Sequence, residues 1–209
     1  MTMLTFNGVR AHVRRAAAGL LSIFPLAAAA QSGTPAALSQ DLHADQRAHL
    51  LRVGAWGAAN VAGGLALVAT AEEGSAQRAF GVQSAAWGAI NTGIAAVGLL
   101  RGQGETAATW REAHGDENNY ENVLLVNLGL NVGYAGVGTA MVLAAENGVD
   151  NADDWRGHGT ALILQGAGLF VLDGIAYLGS RARLGALADI AEAATVTAGP
   201  GGVRVVVGL

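Results

Sequence analysis

The chain has no cysteine and no lysine. Without cysteine there is no disulfide, no thiolate metal site, no cysteine nucleophile and no lipid-anchored N-terminal cysteine. With arginine as the only strong base, Schiff-base and P-loop lysine chemistry are excluded as well. Aromatic residues make up only 5% of the chain, too few for aromatic cages or stacking platforms. Charged residues are scarce too, at 13%, about half the 25% or so of a soluble globular domain. They are too few to cover a water-facing surface. The net charge of −4 leaves no basic face for a phosphate backbone, so nucleic acid is not an expected partner.

What the chain has instead is apolar and small. Hydrophobic residues make up 52% of it, mean hydropathy is +0.36, and there are 31 glycines. Glycine and alanine in excess, without a collagen period, read in apolar segments as close helix packing in lipid.

The first thirty residues have the three parts of a secretory signal. Arg10, Arg14 and Arg15 form the positive region, residues 16–30 (AAAGLLSIFPLAAAA) the apolar one, and Ala28-Ala29-Ala30 the small residues before a cut at Gln31. The competing reading, an uncleaved anchor, has only fifteen apolar residues for a crossing of about twenty. Residues 31–43 are expected to be a polar, poorly ordered lead-in, residues 44–181 a membrane domain and residues 182–209 a tail.

Four apolar stretches follow, at Val53–Thr70, Ala79–Leu100, Val123–Ala145 and Thr160–Gly179. Each has about the length that crosses a hydrocarbon core of roughly 30 Å, and none has the charged stripe of a soluble amphipathic helix. The expected fold is all-α, a four-helix transmembrane bundle. It is built from a pseudo-repeated helix pair, because QRAHLLRVGAWGAANVAGG from Gln46 aligns without a gap on QRAFGVQSAAWGAINTGIA from Gln77. That alignment places Trp56 over Trp87 and Asn60 over Asn91. NLGLNVG in the third stretch puts Asn131 in the same slot and Asn127 where the tryptophan stood, and LFVLDGIA in the fourth puts Asp173 there.

The W-G-x-x-N arrangement of the early helices, ENVLLVNLGLNVGY from Glu121 and LILQGAGLFVLD from Leu162 resemble a family of small bacterial membrane proteins of unknown function. The resemblance covers roughly residues 44–180. It implies the four-helix membrane architecture and brings no activity with it.

Residues four and eight apart share a helix face. Arg52, Trp56 and Asn60 therefore form one polar stripe, Gln83, Trp87 and Asn91 a second, Asn127 and Asn131 a third, and Gln165, Asp173 and Tyr177 a fourth. If the stripes converge, Asn60, Asn91, Asn127, Asn131 and Asp173 form a midplane polar cluster. An ionisable residue inside a span is a functional candidate by default, so Asp173 is a candidate proton or cation site. The competing reading, in which these groups bond one another and fix helix register, is favoured. Trp56 and Trp87 are expected to fill space opposite glycine rather than to line a cavity. Gly57, Gly88, Gly129 and Gly133 are expected at helix contacts, with self-association allowed.

Asp41, His43, Asp45 and His49 before the first stretch, and His114, Asp116 and Glu117 after the second, match no metal spacing and read as solvated loop. The acidic run from Asp150 to Asp154 reads the same way. No nucleophile–base order and no phosphate loop appears, so neither an enzyme nor a cofactor is expected. A cleaved signal would put Arg47, Arg52, Arg101, Arg111, Arg181, Arg183 and Arg204 outside, and only Arg78 and Arg156 inside. That distribution opposes the positive-inside rule. The tail begins as an amphipathic helix, breaks at residues 199–202, and ends in a strand-like run, 203–209, with no expected partner in the chain.

These observations point to an exported bacterial membrane protein in contact with lipid, structural or accessory to a membrane assembly, with a homo-oligomer or another membrane protein as partner. A small transporter or channel subunit using the midplane cluster is the runner-up, and a soluble periplasmic bundle the third reading.

Overall fold

The computed structural model describes residues 34–199 and 202–207; the signal-like segment lies outside them. Four helices account for most of these: α1 (Pro35–Thr70), α2 (Ala76–Arg101), α3 (Trp110–Glu146) and α4 (Ala152–Ala193). The all-α bundle expected from the sequence is what forms. Each helix start follows from local chemistry. Thr34 caps α1, accepting from Ala37 N at 3.2 Å, with Pro35 in the first turn where its missing N–H costs nothing. Ser75 caps α2, accepting from Arg78 N at 3.3 Å. Thr109 and Glu112 cap α3 reciprocally. Gly102 ends α2 and Gly148 follows α3, at φ of 71° and 83°, a region that glycine enters without penalty.

The helices outrun the apolar stretches. The cap at Thr34 starts α1 at Pro35, so the expected lead-in over 34–43 is helix, with Leu38, Ser39 and Leu42 buried. The tail differs as well. Its terminal strand has a partner, because β1 (Ala194–Gly199) pairs antiparallel with β2 (Gly202–Val207), Gly199 opposite Gly202. Residues 194–199 supply the partner strand, in a stretch that the sequence alone assigns to no element beyond Ala194.

Backbone contact at glycine sets the packing. A methyl group added at Gly88 would lie 2.5 Å from the Gly57 carbonyl oxygen, and one at Gly64 2.5 Å from that of Gly81. Those two rungs join α1 to α2 antiparallel, seven residues apart on each helix. In α3 and α4 the rungs are Gly138 on Gly159 and Gly166 on the Asn131 carbonyl, again 2.5 Å and again seven apart. The buried residues of α3 include Glu117, Leu124, Asn131, Gly138 and Ala145, a strict heptad. Such a repeat is that of helices crossing at about 20°. Gly57 and Gly88 are therefore contact points as expected. Gly129 and Gly133 are not, since a side chain there would meet nothing within 4 Å.

The outside of the bundle is apolar. Leu65, Ile90, Ile94, Leu100, Val126, Val132, Phe170, Val171 and Leu178 are all exposed, Leu178 to 69%. α1, α3 and residues 152–188 of α4 are each long and apolar enough to cross a membrane. α2 falls short of that measure, its apolar stretch being interrupted by Gln83 and Asn91.

Gly88→Ala should destabilise the purified protein by about 1–3 kcal/mol, the usual cost of overpacking, whereas Gly133→Ala should change it by less than about 0.5 kcal/mol. Thermal unfolding in detergent checks both, and equal effects would remove the rung argument.

Candidate functional site

The rungs decide which polar side chains meet, and they do not gather the five candidates into one cluster. Asn60 and Asn131 fall into separate layers. In one, Gln165 of α4, with no exposed surface, donates from Nε2 to Asn60 Oδ1 at 2.5 Å and accepts from Trp56 Nε1 at 3.0 Å. Asn60 Nδ2 donates to its own helix, at Trp56 O, 2.7 Å away. In the other, Asp173 Oδ2 accepts from Asn131 Nδ2 at 2.6 Å, and Asp173 Oδ1 lies 3.1 Å from His49 Nε2. Eight residues of α4 separate Asp173 from Gln165, about 12 Å along the axis. Asn91 is buried, but its Nδ2 has no hydrogen-bond partner. Asn127 is half-buried and joins neither layer.

Both tryptophans pack, as expected. Trp56 lies against Gly168, where any added methyl would overlap its indole. Trp87 meets Tyr134 with ring centroids 4.8 Å apart and planes tilted by 55°.

A third layer includes Asp45 and Glu117, which the sequence alone reads as solvated loop. Asp45, His49 and Glu117 lie on helices instead, because α1 and α3 begin well before their apolar stretches; Glu117 is 3% exposed and His49 8%. Arg183 donates to Glu117 Oε2 from Nε at 2.7 Å and to Oε1 from Nη2 at 2.9 Å, and also bonds Asp45 Oδ2. Ser180 Oγ donates to Glu117 Oε1 at 2.6 Å, and Arg181 pairs with Glu121 at 3.1 Å. The fork of the guanidinium satisfies both carboxylate oxygens at once. Burial opposes the charge on Arg183, but the Glu117 hydrogen bonds, followed by the nearby Glu117 and Asp45 charges, more than offset it and hold its pKa above the ordinary value.

Tyr120 stands beside this layer. Burial, reinforced by the charges of Asp45, Glu117 and Asp173 against that of Arg183, raises the pKa of its phenol well above the ordinary 10.0. Its hydroxyl is buried without a partner. The ring also lines a cleft of about 500 Å³ at this end of the bundle, together with Leu42, His43, Asp116, Asn119 and Val123 among others. One wall of the cleft is the α2–α3 loop, which is pinned to α1 where Ala107 N donates to Ser39 Oγ at 3.1 Å and Gln103 Nε2 donates to His43 O. Among the described residues, no three His, Asp or Glu side chains are placed to hold a metal ion.

The segment from just ahead of Val53 to just past Asp173, which holds most of the two inner layers, corresponds to one family. Residues 52–174 match DUF6992, a family of unknown function. The chain belongs to that family. No curated protein and no solved structure matches it. The DUF6992 match contains the two inner layers except His49 and ends one residue past Asp173, so the Arg183 layer is mostly outside it on α1 and α4.

Removing one partner of a buried ion pair leaves the other charge uncompensated. Arg183→Met should therefore cost about 3–5 kcal/mol, while the double variant Arg183→Met/Glu117→Leu should recover part of that loss; chemical unfolding in detergent reads the difference. The raised Tyr120 pKa has a definite sign. Below pH 10 folded and unfolded chains both hold the phenol proton. Above it the unfolded chain loses the proton first, so stability falls as pH rises. Unfolding midpoints taken across alkaline pH should decline less steeply in Tyr120→Phe than in the parent.

Proposed function

We propose that this chain is a non-enzymatic integral membrane protein of the bacterial cell membrane, exported behind its signal segment and structural or accessory to a larger membrane assembly. What supports the membrane reading most is the inverted distribution of polarity. Within the apolar stretches many Leu, Ile, Val and Phe side chains are exposed, while Asn60, Asn131, Gln165 and Asp173 are buried. A soluble bundle would have the opposite arrangement. In lipid, polar groups must find partners inside the protein, and both Asp173 oxygens do so. α2 is the fourth crossing on this reading. It runs antiparallel to α1 with backbone in contact at two rungs, so a membrane spanned by α1 is spanned by α2.

The structural role rests on the bonding of the inner layers. A carboxylate accepting from Asn131 and meeting His49 acts as a tie between α1, α3 and α4. The outward small-residue face of α3, open at Gly129, Gly133 and Gly136, leaves surface for a second copy or another membrane protein.

The test is carbonate extraction of membranes followed by cross-linking in native membranes. The protein should resist extraction and should appear in species larger than its own 21.0 kDa. Release into the soluble fraction would remove the membrane reading, and a solely monomeric cross-linking pattern would remove the assembly reading.

A further inference from the structure

The buried polar atoms that find no partner are not scattered. Among the described residues they are Tyr120 OH, His49 Nδ1, Asn91 Nδ2, Ser84 Oγ and His158 Nδ1. The glycine contacts fix the level of each. Tyr120 lies in the field of Asp45, Glu117, Asp173 and Arg183, at the cleft end. His49 is next, on Asp173. Asn91 follows Gly88, which packs on Gly57 and Asn60, and precedes Ala95, which meets Gly54. It therefore sits between the Asp173 layer and the Gln165 layer. Ser84 lies between Gly81, which packs on Gly64, and Gly88, on the far side of Asn60. His158 lies beyond it, flanked by Gly157 on α2 and Gly159 on α3.

The spacing places these residues on the inward stripes. Ser84 and Asn91 are seven apart on α2, and His158 and Gln165 seven apart on α4. His49, Asn91 and Ser84 are 8%, 4% and 2% exposed. From Arg183 to His158 the column covers 25 residues of α4, about 37 Å at 1.5 Å per residue, comparable with a hydrocarbon core of about 30 Å. A buried polar atom without a protein partner is ordinarily satisfied by an ordered water. Here such atoms recur at successive levels from one end of the bundle to the other, interleaved with the bonded groups His49–Asp173 and Asn60–Gln165–Trp56.

We infer that these atoms mark a file of internal water molecules running along the bundle axis, and that this file conducts protons across the membrane. Each transfer breaks one O–H bond and forms one: a water accepts a proton from the cleft side and releases another to the next water. Nothing is oxidised or reduced, and one proton leaves the file for each that enters. The cleft beside Tyr120 is one mouth, and the helix end at His158 is the other. Each level offers isolated hydrogen-bonding atoms, not the ring of oxygens that replaces the shell of a metal cation. The lining therefore suits protons rather than sodium or potassium. This inference goes beyond the structural role proposed above and does not depend on any partner.

The test uses the purified full chain in proteoliposomes containing a pH-sensitive dye, with a potassium gradient and valinomycin driving protons. Internal pH should change several-fold faster than in protein-free liposomes, and more slowly in D₂O. The Ser84→Ala/Asn91→Leu variant should fall to the protein-free rate, whereas Ser84→Thr/Asn91→Gln, which keeps the polar atoms, should retain flux. Gly63→Ala, where an added methyl would meet nothing within 4 Å, should conduct like the parent. Circular dichroism and thermal melting establish that each variant is folded. A parent protein at the protein-free rate would overturn the inference, as would a folded Ser84→Ala/Asn91→Leu protein that conducts normally. Flux of sodium or potassium matching that of protons would also overturn it. None of these results bears on carbonate resistance or cross-linking, so failure here is distinguishable from failure of the structural reading.

Discussion

Backbone-to-backbone contact at Gly57–Gly88, Gly64–Gly81, Gly138–Gly159 and Gly166–Asn131 is the constraint from which the rest of the bundle follows. In a soluble bundle the loss of apolar surface to water would hold the helices together. Between helices in lipid that driving force is absent, and close van der Waals approach has to replace it. A contact made where a single methyl group would overlap a carbonyl oxygen is intolerant of slippage. Shifting α2 by one turn against α1 would drive a larger side chain into the Gly57 position. The register so fixed determines which polar groups face one another, and Gln165 meets Asn60 and Trp56 for that reason.

The column of polar groups is graded in charge, and the grading follows the cost of burial. At the cleft end, Arg183 is shared by Glu117 and Asp45, with Arg181 on Glu121 beside it. Such a group is tolerable where water is near and both oxygens of the buried Glu117 have donors. One layer inward the ionisable groups reduce to Asp173 and His49, held with Asn131. At the Gln165 layer only neutral amides and an indole remain. An ionised side chain becomes more expensive with distance from water, and the order of residue types along the axis reflects that gradient.

The sequence made the helix count, the first repeat and the roles of the two tryptophans legible, because Trp56/Trp87 and Asn60/Asn91 recur without a gap and hydropathy marks apolar runs directly. It misled where hydropathy was taken for a helix boundary. Charged residues at 41–49 and 111–121 end an apolar stretch but do not end a helix, and the capping residues Thr34 and Thr109 were the better signal. Treating those residues as loop concealed Asp45, His49 and Glu117. Grouping side chains at four and eight residues concealed the layers as well. The period is seven, as Glu117, Leu124, Asn131, Gly138 and Ala145 show, and that pattern would have brought Glu117 into the core and paired it with α4. Nothing in the local sequence identified Arg183 as its partner, since 66 residues separate them. The terminal strand was legible, but its partner at 194–199 was not, being short and continuous with a helix.

The repeat itself explains why equivalent residues end in unequal surroundings. Gly57 and Gly88 are repeat mates, and they touch one another, so the axis relating α1 to α2 passes through that contact. A symmetric pair would give Asn60 and Asn91 the same neighbours. The second helix pair breaks the equivalence, because α4 brings Gln165 to Asn60 and offers no bonded counterpart to Asn91. Ser84 shows the same asymmetry in sequence. Its repeat mate is Val53, buried in α1 as an apolar side chain. The unpartnered atoms of the two middle levels therefore both lie on α2, the member of the repeated pair whose polar groups α4 does not satisfy. Symmetry within the first pair and asymmetry imposed by the second together leave Asn91 and Ser84 unpartnered on α2 at levels where Asn60 of α1 is bonded.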